Sequence, residues 1–120
     1  MAKIRQQKIA SQIQKIVAMT LIREVADPRV DGLISVTRVE VTPDLREAKV
    51  YLSVLGGKRT PTTVIEGIKS AGRHIQSEVA EGLTMRFVPH LSFHLDDSLK
   101  REAEILKIIN EANRKEPTDE

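Results

Sequence analysis

The sequence predicts an α+β layer, a three-stranded mixed sheet with helices packed on one face. Three observations carry that expectation. Apolar residues recur at helical spacing over 4–25 and again over 62–81, whereas three shorter stretches rich in Val, Ile and Thr alternate or run apolar. Turn residues separate these stretches at Asp27-Pro28, Thr42-Pro43-Asp44 and Gly56-Gly57. The length of 120 residues, 40% of them hydrophobic, suits a single core.

The first helix places Ile9, Ile13, Ile16, Val17 and Thr20 on one side, flanked by Ala10 and Leu21, and should end near Asp27-Pro28, because the residue before proline avoids the helical region. Residues 29–32 form a loop. Leu33 to Val41 reads as an edge or near-edge strand, and its apolar set changes face between Val36 and Val39, which suggests a twist or a bulge. After the turn at 42–45, Ala48 to Leu55 is almost continuously apolar and predicts a central strand. Gly56 to Pro61 is a basic loop, and Thr62 or Thr63 is expected to cap the next helix with Glu66 in its first turn. Ile65, Ile68, Ile75 and Val79 carry a helical face through about residue 81. Gly72 interrupts it, so two helices or one kinked helix follow. Leu83 to Leu95 is expected as a third strand with Phe87, Leu91, Phe93 and Leu95 on one side and a bulge or edge position at Pro89. If the last two strands are parallel, the helical pair supplies the right-handed crossover between them. Leu99, Ala103, Ile105, Leu106 and Ile109 suggest a C-terminal helix, with Leu99, Leu106 and Ile109 as core cover. Residues 113–120 are expected to be disordered. The domain is thus drawn at 1–97, with an appendix at 98–120.

Composition closes several function classes. No apolar run is long enough for a membrane span, and the polar N-terminus gives no sign of export, so a cytoplasmic location is expected. The absence of cysteine removes disulfides, thiolate nucleophiles and Cys-based metal sites. No GxGxxG, GxxxxGK[ST], GxSxG or HExxH pattern occurs. His90 and His94, four apart on a strand, would stand about 13 Å from each other, too far to share a metal. Asp96-Asp97 with Glu102 and Glu104 serve a helix cap as well as they would serve acid–base chemistry. His74 has no nucleophile or carboxylate fixed beside it by sequence. Neither catalysis nor a cofactor is expected.

Charge is uneven along the chain. The net charge of +2 divides into +5 over residues 1–95 and −3 over 96–120, and five cations precede the first anion, Glu24. Arg5, Lys8, Lys15 and Arg23, with Gln12 and Met19, form a second stripe on the first helix. That pattern fits a polyanion such as a nucleic-acid backbone, although charged helix faces are often only solvated. Lys58 and Arg59 in the glycine loop, and Lys69 and Arg73 beside Gly72, extend the candidate RNA-binding set. With three aromatic residues, Tyr51, Phe87 and Phe93, a surface stacking several bases is not expected, and backbone contacts should dominate.

Several stretches resemble the ribosome-binding factor A family of bacterial small-subunit assembly factors. They include Asp27-Pro28-Arg29-Val30-Asp31-Gly32, the long run from Val36 to Ser53 containing Asp44-Leu45-x-x-Ala48-Lys49-Val50-Tyr51-x-Ser53, and Met85 to Ser98. The resemblance covers about residues 3–110. It implies a type II KH-like domain in which a kink of pattern Ala-x-Gly replaces the usual GxxG loop between the paired helices. Here Ala71-Gly72-Arg73 holds that place, with glycine in the middle and Arg at the third position. His90 stands where the family usually has Glu. The resemblance further implies a non-catalytic, cofactor-free monomer that binds the immature small ribosomal subunit and its ribosomal RNA. It implies that the protein aids 5′-end maturation of that RNA, acts above all in the cold, and meets assembly GTPases. Two other readings remain open from the residues: a KH-like module for non-ribosomal RNA, and a protein-interaction module using Met19 and Ile22.

Overall fold

The structure is a computed structural model that describes residues 2–23, 27–96 and 105–110. Its elements run α1 (Ala2–Arg23), β1 (Leu33–Val41), β2 (Glu47–Leu55), α2 (Pro61–Ser70), α3 (Gly72–Gly82) and β3 (His90–Leu95). The strands lie in the order β1-β2-β3, with β1 and β2 antiparallel and β2 and β3 parallel. α1, α2 and α3 cover one sheet face, the α+β arrangement of a type II KH-like domain.

Alternation decides that face. In β2, Ala48, Val50 and Leu52 are buried while Glu47 and Lys49 are exposed, and Leu91 and Phe93 of β3 join the same core. Ile9, Ile13 and Val17 of α1, Val64, Ile65 and Ile68 of α2, and Ile75 and Val79 of α3 close over them. The register shift between Val36 and Arg38 is the bulge expected from the sequence: one extra residue lets Val36 and Val39 both turn inward.

Glutamines from the helices hold both outer strands. Gln6 Nε2 and Gln14 Nε2 of α1 donate to the Val41 and Val36 carbonyls of β1, at 2.8 and 3.0 Å. On the far side, Gln76 of α3 donates to the Pro89 carbonyl and accepts from the Leu91 N–H, both at 2.9 Å. Each amide thus satisfies backbone groups that a sheet edge otherwise leaves open.

The structure corrects four expectations. Thr60, rather than Thr62 or Thr63, caps α2: its hydroxyl accepts from the Thr63 N–H with Pro61 opening the helix, and Glu66 falls beyond the first turn. The third strand begins at His90, not Leu83, because β2 starts at Glu47, the partner of His90, and leaves 83–89 nothing to pair with. Pro89 is fully buried and lacks the N–H a ladder needs, and Phe87 is 77% exposed rather than aligned with Phe93. The kink arises at Ala71, whose φ of −86° and ψ of 7° end α2 and start α3 at once. Gly72 has no positive φ, and a Cβ there would meet the Phe93 ring at an ordinary 3.8 Å, so glycine's conformational freedom is not what bends the chain. Lastly, the described part of the C-terminal helix, 105–110, exposes Ile105, Leu106, Ile108 and Ile109, so Leu106 and Ile109 do not cover the core. The expectations for Leu99, Ala103 and residues 113–120 fall outside the described residues.

The loop before β1 is fastened to the kink. Arg29 pairs with Asp27 at 2.8 Å and donates to Ser70 Oγ at the end of α2 at 2.7 Å. Gly67 admits this approach: a Cβ there would lie 3.0 Å from the side chains of both Arg29 and Val30. Hydrogen bonds from the Arg29 side chain, then from its backbone N–H, lower the Asp27 pKa to about 2.

Candidate nucleic-acid interface

The eight predicted RNA-binding cations are all exposed, and among the described residues none of them is ion-paired; the pairs found are Arg29–Asp27 and Arg38–Glu40. They do not share one face. The structure distributes them over separate places around α1, α2 and α3.

Lys69 and Arg73 stand on either side of the Ala71 kink and line a groove of about 520 Å³ between the helical pair and β3. Gly72 and Gln76 form its helical wall, and His90, Ser92 and His94 belong to the strand beside it. Among the described residues, no carboxylate lines it. The Gln76 amide fixes the strand against α3, so the separation of the two walls is set by hydrogen bonds rather than by apolar contact alone. His94 Nε2 lies 2.9 Å from Ser92 Oγ, and the His94 ring lies 5.4 Å from that of Tyr51. The Arg38 guanidinium sits 4.1 Å above the same Tyr51 ring. A strip Arg38–Tyr51–His94 therefore crosses all three strands on the sheet face opposite α1, α2 and α3, following the registers Arg38↔Tyr51 and Tyr51↔His94.

The stripe on α1 is divided. Lys15, Met19 and Arg23 line a groove against the opposite flank of α3, which brings Glu78 and Glu81 into the same space. Opposite charges there reduce the field that a polyanion would meet. Gly82 makes that close helix contact possible, since a Cβ would come within 2.5 Å of Ile16 Cδ1. Arg5, near the other end of α1, lines a different groove with Arg46 and Arg86. Lys8 is exposed on α1 and lines none of these three grooves. Lys58 and Arg59 lie in the exposed β2–α2 loop, where the Lys58 N–H donates to Asp31 Oδ2 at 2.8 Å.

Sequence reasoning misses Arg38, Arg46, Arg86 and Gln76. Arg86 is hidden by the over-long third strand. The bulge at 36–38, visible in the sequence, is the signal that Arg38 shares a face with Tyr51. No helix among the described residues is long and apolar enough to cross a membrane.

A family model for ribosome-binding factor A matches residues 5–109. The ribosome-binding factor A of Clostridioides difficile strain 630 is 43% identical, over 97% of this chain and 93% of its own length. That of Caldanaerobacter subterraneus is 36% identical, over 96% and 94%. Among solved structures, the crystal structure of ribosome-binding factor A from Thermus thermophilus aligns with a TM-score of 0.66 at 22% identity, over 75% of this chain and 93% of that one. A Thermus thermophilus homology model fitted into the cryo-EM map of a 30S–RbfA complex aligns with a TM-score of 0.59 at 23% identity, over 73% and 91%. These two neighbours agree in fold with the α+β layer described above. With the family match spanning nearly the whole domain, the chain belongs to the ribosome-binding factor A family.

Proposed function

We propose that the chain binds the immature small ribosomal subunit through its ribosomal RNA and assists maturation of that RNA, including its 5′ end, without catalysing a reaction. The groove beside the kink carries the reading: among the described residues two cations and two histidines line it, and no carboxylate does. Family membership, and the 30S complex into which a relative has been fitted, support the choice of the small subunit as the RNA's carrier. The protein acts as a monomer in the cytoplasm, needs no cofactor, and works alongside assembly GTPases. It acts by selection. RNA helices form trapped alternatives that rearrange slowly in the cold, and a protein that binds one arrangement more tightly shifts the population towards it by its difference in affinity. Lys69 and Arg73, on either side of the kink, supply phosphate contacts.

Sedimentation of the protein with immature small subunits across a salt series tests this. The double variant Lys69→Gln, Arg73→Gln should make the slope of log affinity against log salt shallower by about 1–2 units, as two phosphate contacts are lost. The triple variant Lys8→Gln, Lys15→Gln, Arg23→Gln should change it less, because Glu78 and Glu81 already offset Lys15 and Arg23. Cells lacking the protein should accumulate 5′-extended small-subunit RNA in the cold. An unchanged slope in the double variant removes the groove from the reading, and wild-type protein absent from small-subunit fractions removes the reading itself.

A further inference from the structure

At the other end of α1, residues 83–89 form a segment pinned at both ends. Leu83 and Pro89 are buried, whereas Arg86 and Phe87 between them are exposed. Phe87 keeps 77% of its surface in water, while Phe93 is 6% exposed in the core. The Arg86 guanidinium lies 5.5 Å from the Phe87 ring centroid. Beside them is a groove of about 650 Å³, within the size range of ligand sites, with Arg5 from α1 and Arg46 from the β1–β2 turn on its walls. Asp44 is the one carboxylate among the described residues that line it. Its Oδ1 already accepts from the Thr42 hydroxyl at 2.6 Å and the Arg46 N–H at 3.1 Å, which lower its pKa and keep it engaged with the turn. Half-buried Leu45, Met85 and Val88 make the groove partly apolar.

We infer that this groove is a second RNA site, in which one unpaired base stacks on Phe87 and the flanking phosphates are held by Arg5, Arg46 and Arg86. An exposed aromatic ring in a groove lined by three arginines suits a nucleotide in both its parts. A base has a π-face of any sequence to offer the ring, and phosphates accept the forked hydrogen bonds of guanidinium. A protein partner would have to bring carboxylates to all three arginines and an apolar pocket to the same ring. The site rests on the RNA-binding reading above but lies apart from the Lys69–Arg73 groove, so the two contacts are separable by mutation.

The chain contains no tryptophan, so Phe87→Trp introduces a single fluorescent reporter at the stacking position. The probes are a fluorescein-labelled single-stranded octamer of adenosine and an otherwise identical octamer with abasic sugars. Phe87→Ala should weaken binding of the adenosine octamer by about 5- to 140-fold, the loss of one base–aromatic stack, and should leave the salt slope unchanged. Arg46→Gln and Arg86→Gln should each make that slope shallower by roughly 0.7. Phe87→Trp should bind the octamer as wild type does, with emission quenched by adenosine but not by the abasic octamer. Circular dichroism on each variant confirms the fold. Wild-type protein that fails to bind the octamer, an unaffected Phe87→Ala, or an equal loss on the abasic octamer overturns the inference. Weaker subunit association of Phe87→Ala with unchanged octamer binding also overturns it, and makes this a protein contact. If the Lys69→Gln, Arg73→Gln variant alone loses subunits, the second site falls and the proposed function stands.

Discussion

Gln76 joins the helical pair to the edge strand, and its removal has a calculable cost. Gln76→Ala deletes two side-chain-to-backbone hydrogen bonds, to the Pro89 carbonyl and from the Leu91 N–H, each worth about 1 kcal/mol net. Leu91 is 5% exposed, so its freed N–H is poorly placed to recover a water, and the total should reach about 2–3 kcal/mol. Gln76→Glu separates donor from acceptor. A carboxylate still accepts from the Leu91 N–H but faces the Pro89 oxygen with no proton to donate, whereas a carboxylic acid makes both bonds. The protonated form is therefore favoured by the fold, and the pKa of the introduced carboxyl in the folded protein lies above its unfolded value of about 4.3. Stability from such a group is fully present below the unfolded pKa and is lost as pH rises through the folded one. The Gln76→Glu variant should be nearest wild type at about pH 4 and should fall behind it by roughly 1–2 kcal/mol by pH 7, where one of the two bonds is lost. Urea denaturation followed by circular dichroism, with wild type measured at every pH, reads both effects at unchanged m-value. A loss below about 0.5 kcal/mol for Gln76→Ala, within the range of ordinary surface changes, would refute the structural role. A Gln76→Glu deficit that does not grow with pH would refute the donor assignment.

Two further outcomes follow from local geometry. Gly72→Ala should stabilise the protein by about 0.4–1 kcal/mol, since the position has no positive φ and the new methyl would sit 3.8 Å from Phe93; destabilisation in thermal melts would return the kink to Gly72. Arg29 holds the Asp27 pKa down at about 2, so its contribution is present above the ordinary 3.8 and disappears as pH falls through 2. Asp27→Asn should therefore lower the melting temperature at pH 7 but not at pH 2, and a deficit that persists undiminished at pH 2 would contradict the pairing.

The elements that can be read from the chain are those whose signal is local and periodic. Ile9, Ile13 and Val17 mark α1 by spacing alone, and the exchange of face between Val36 and Val39 signals a twist or a bulge, of which the register shift at 36–38 is the bulge. The residues around Phe87 fail for the same reason in reverse. A run ending in Phe93 and Leu95 looks like strand from its composition, but whether Leu83 to Pro89 has a strand to pair with depends on where β2 begins, far earlier in the chain. The Thr60 cap escapes because Thr60, Thr62 and Thr63 carry the same capping chemistry, and only the position of Pro61 separates them. The candidate cations are legible as residues but not as sites. Spacing on α1 places Lys15 and Arg23 on one stripe, yet it is the approach of α3, closed through Gly82, that sets Glu78 and Glu81 against them.

That approach has a consequence for how RNA can be held. Glu78 and Glu81 lie on the flank of α3 away from Lys69 and Arg73, and their groove adjoins the side of α1 whose far end carries Arg5. A phosphate chain crossing from one basic groove to the other over this flank would pass two carboxylates, which like charge disfavours. Two separate RNA segments, one in each groove, avoid that passage. If both proposed grooves hold RNA, the two contacts are linked through one folded domain, so the second would form at an effective concentration set by how far apart the RNA holds its two segments. RNA folded so that both segments reach their grooves together gains from both. An alternative arrangement gains from one alone. On the proposed two-groove binding, the difference in affinity between arrangements, which is what shifts a population, would come from the spacing of the two sites rather than from the strength of either, and would require no movement of the protein.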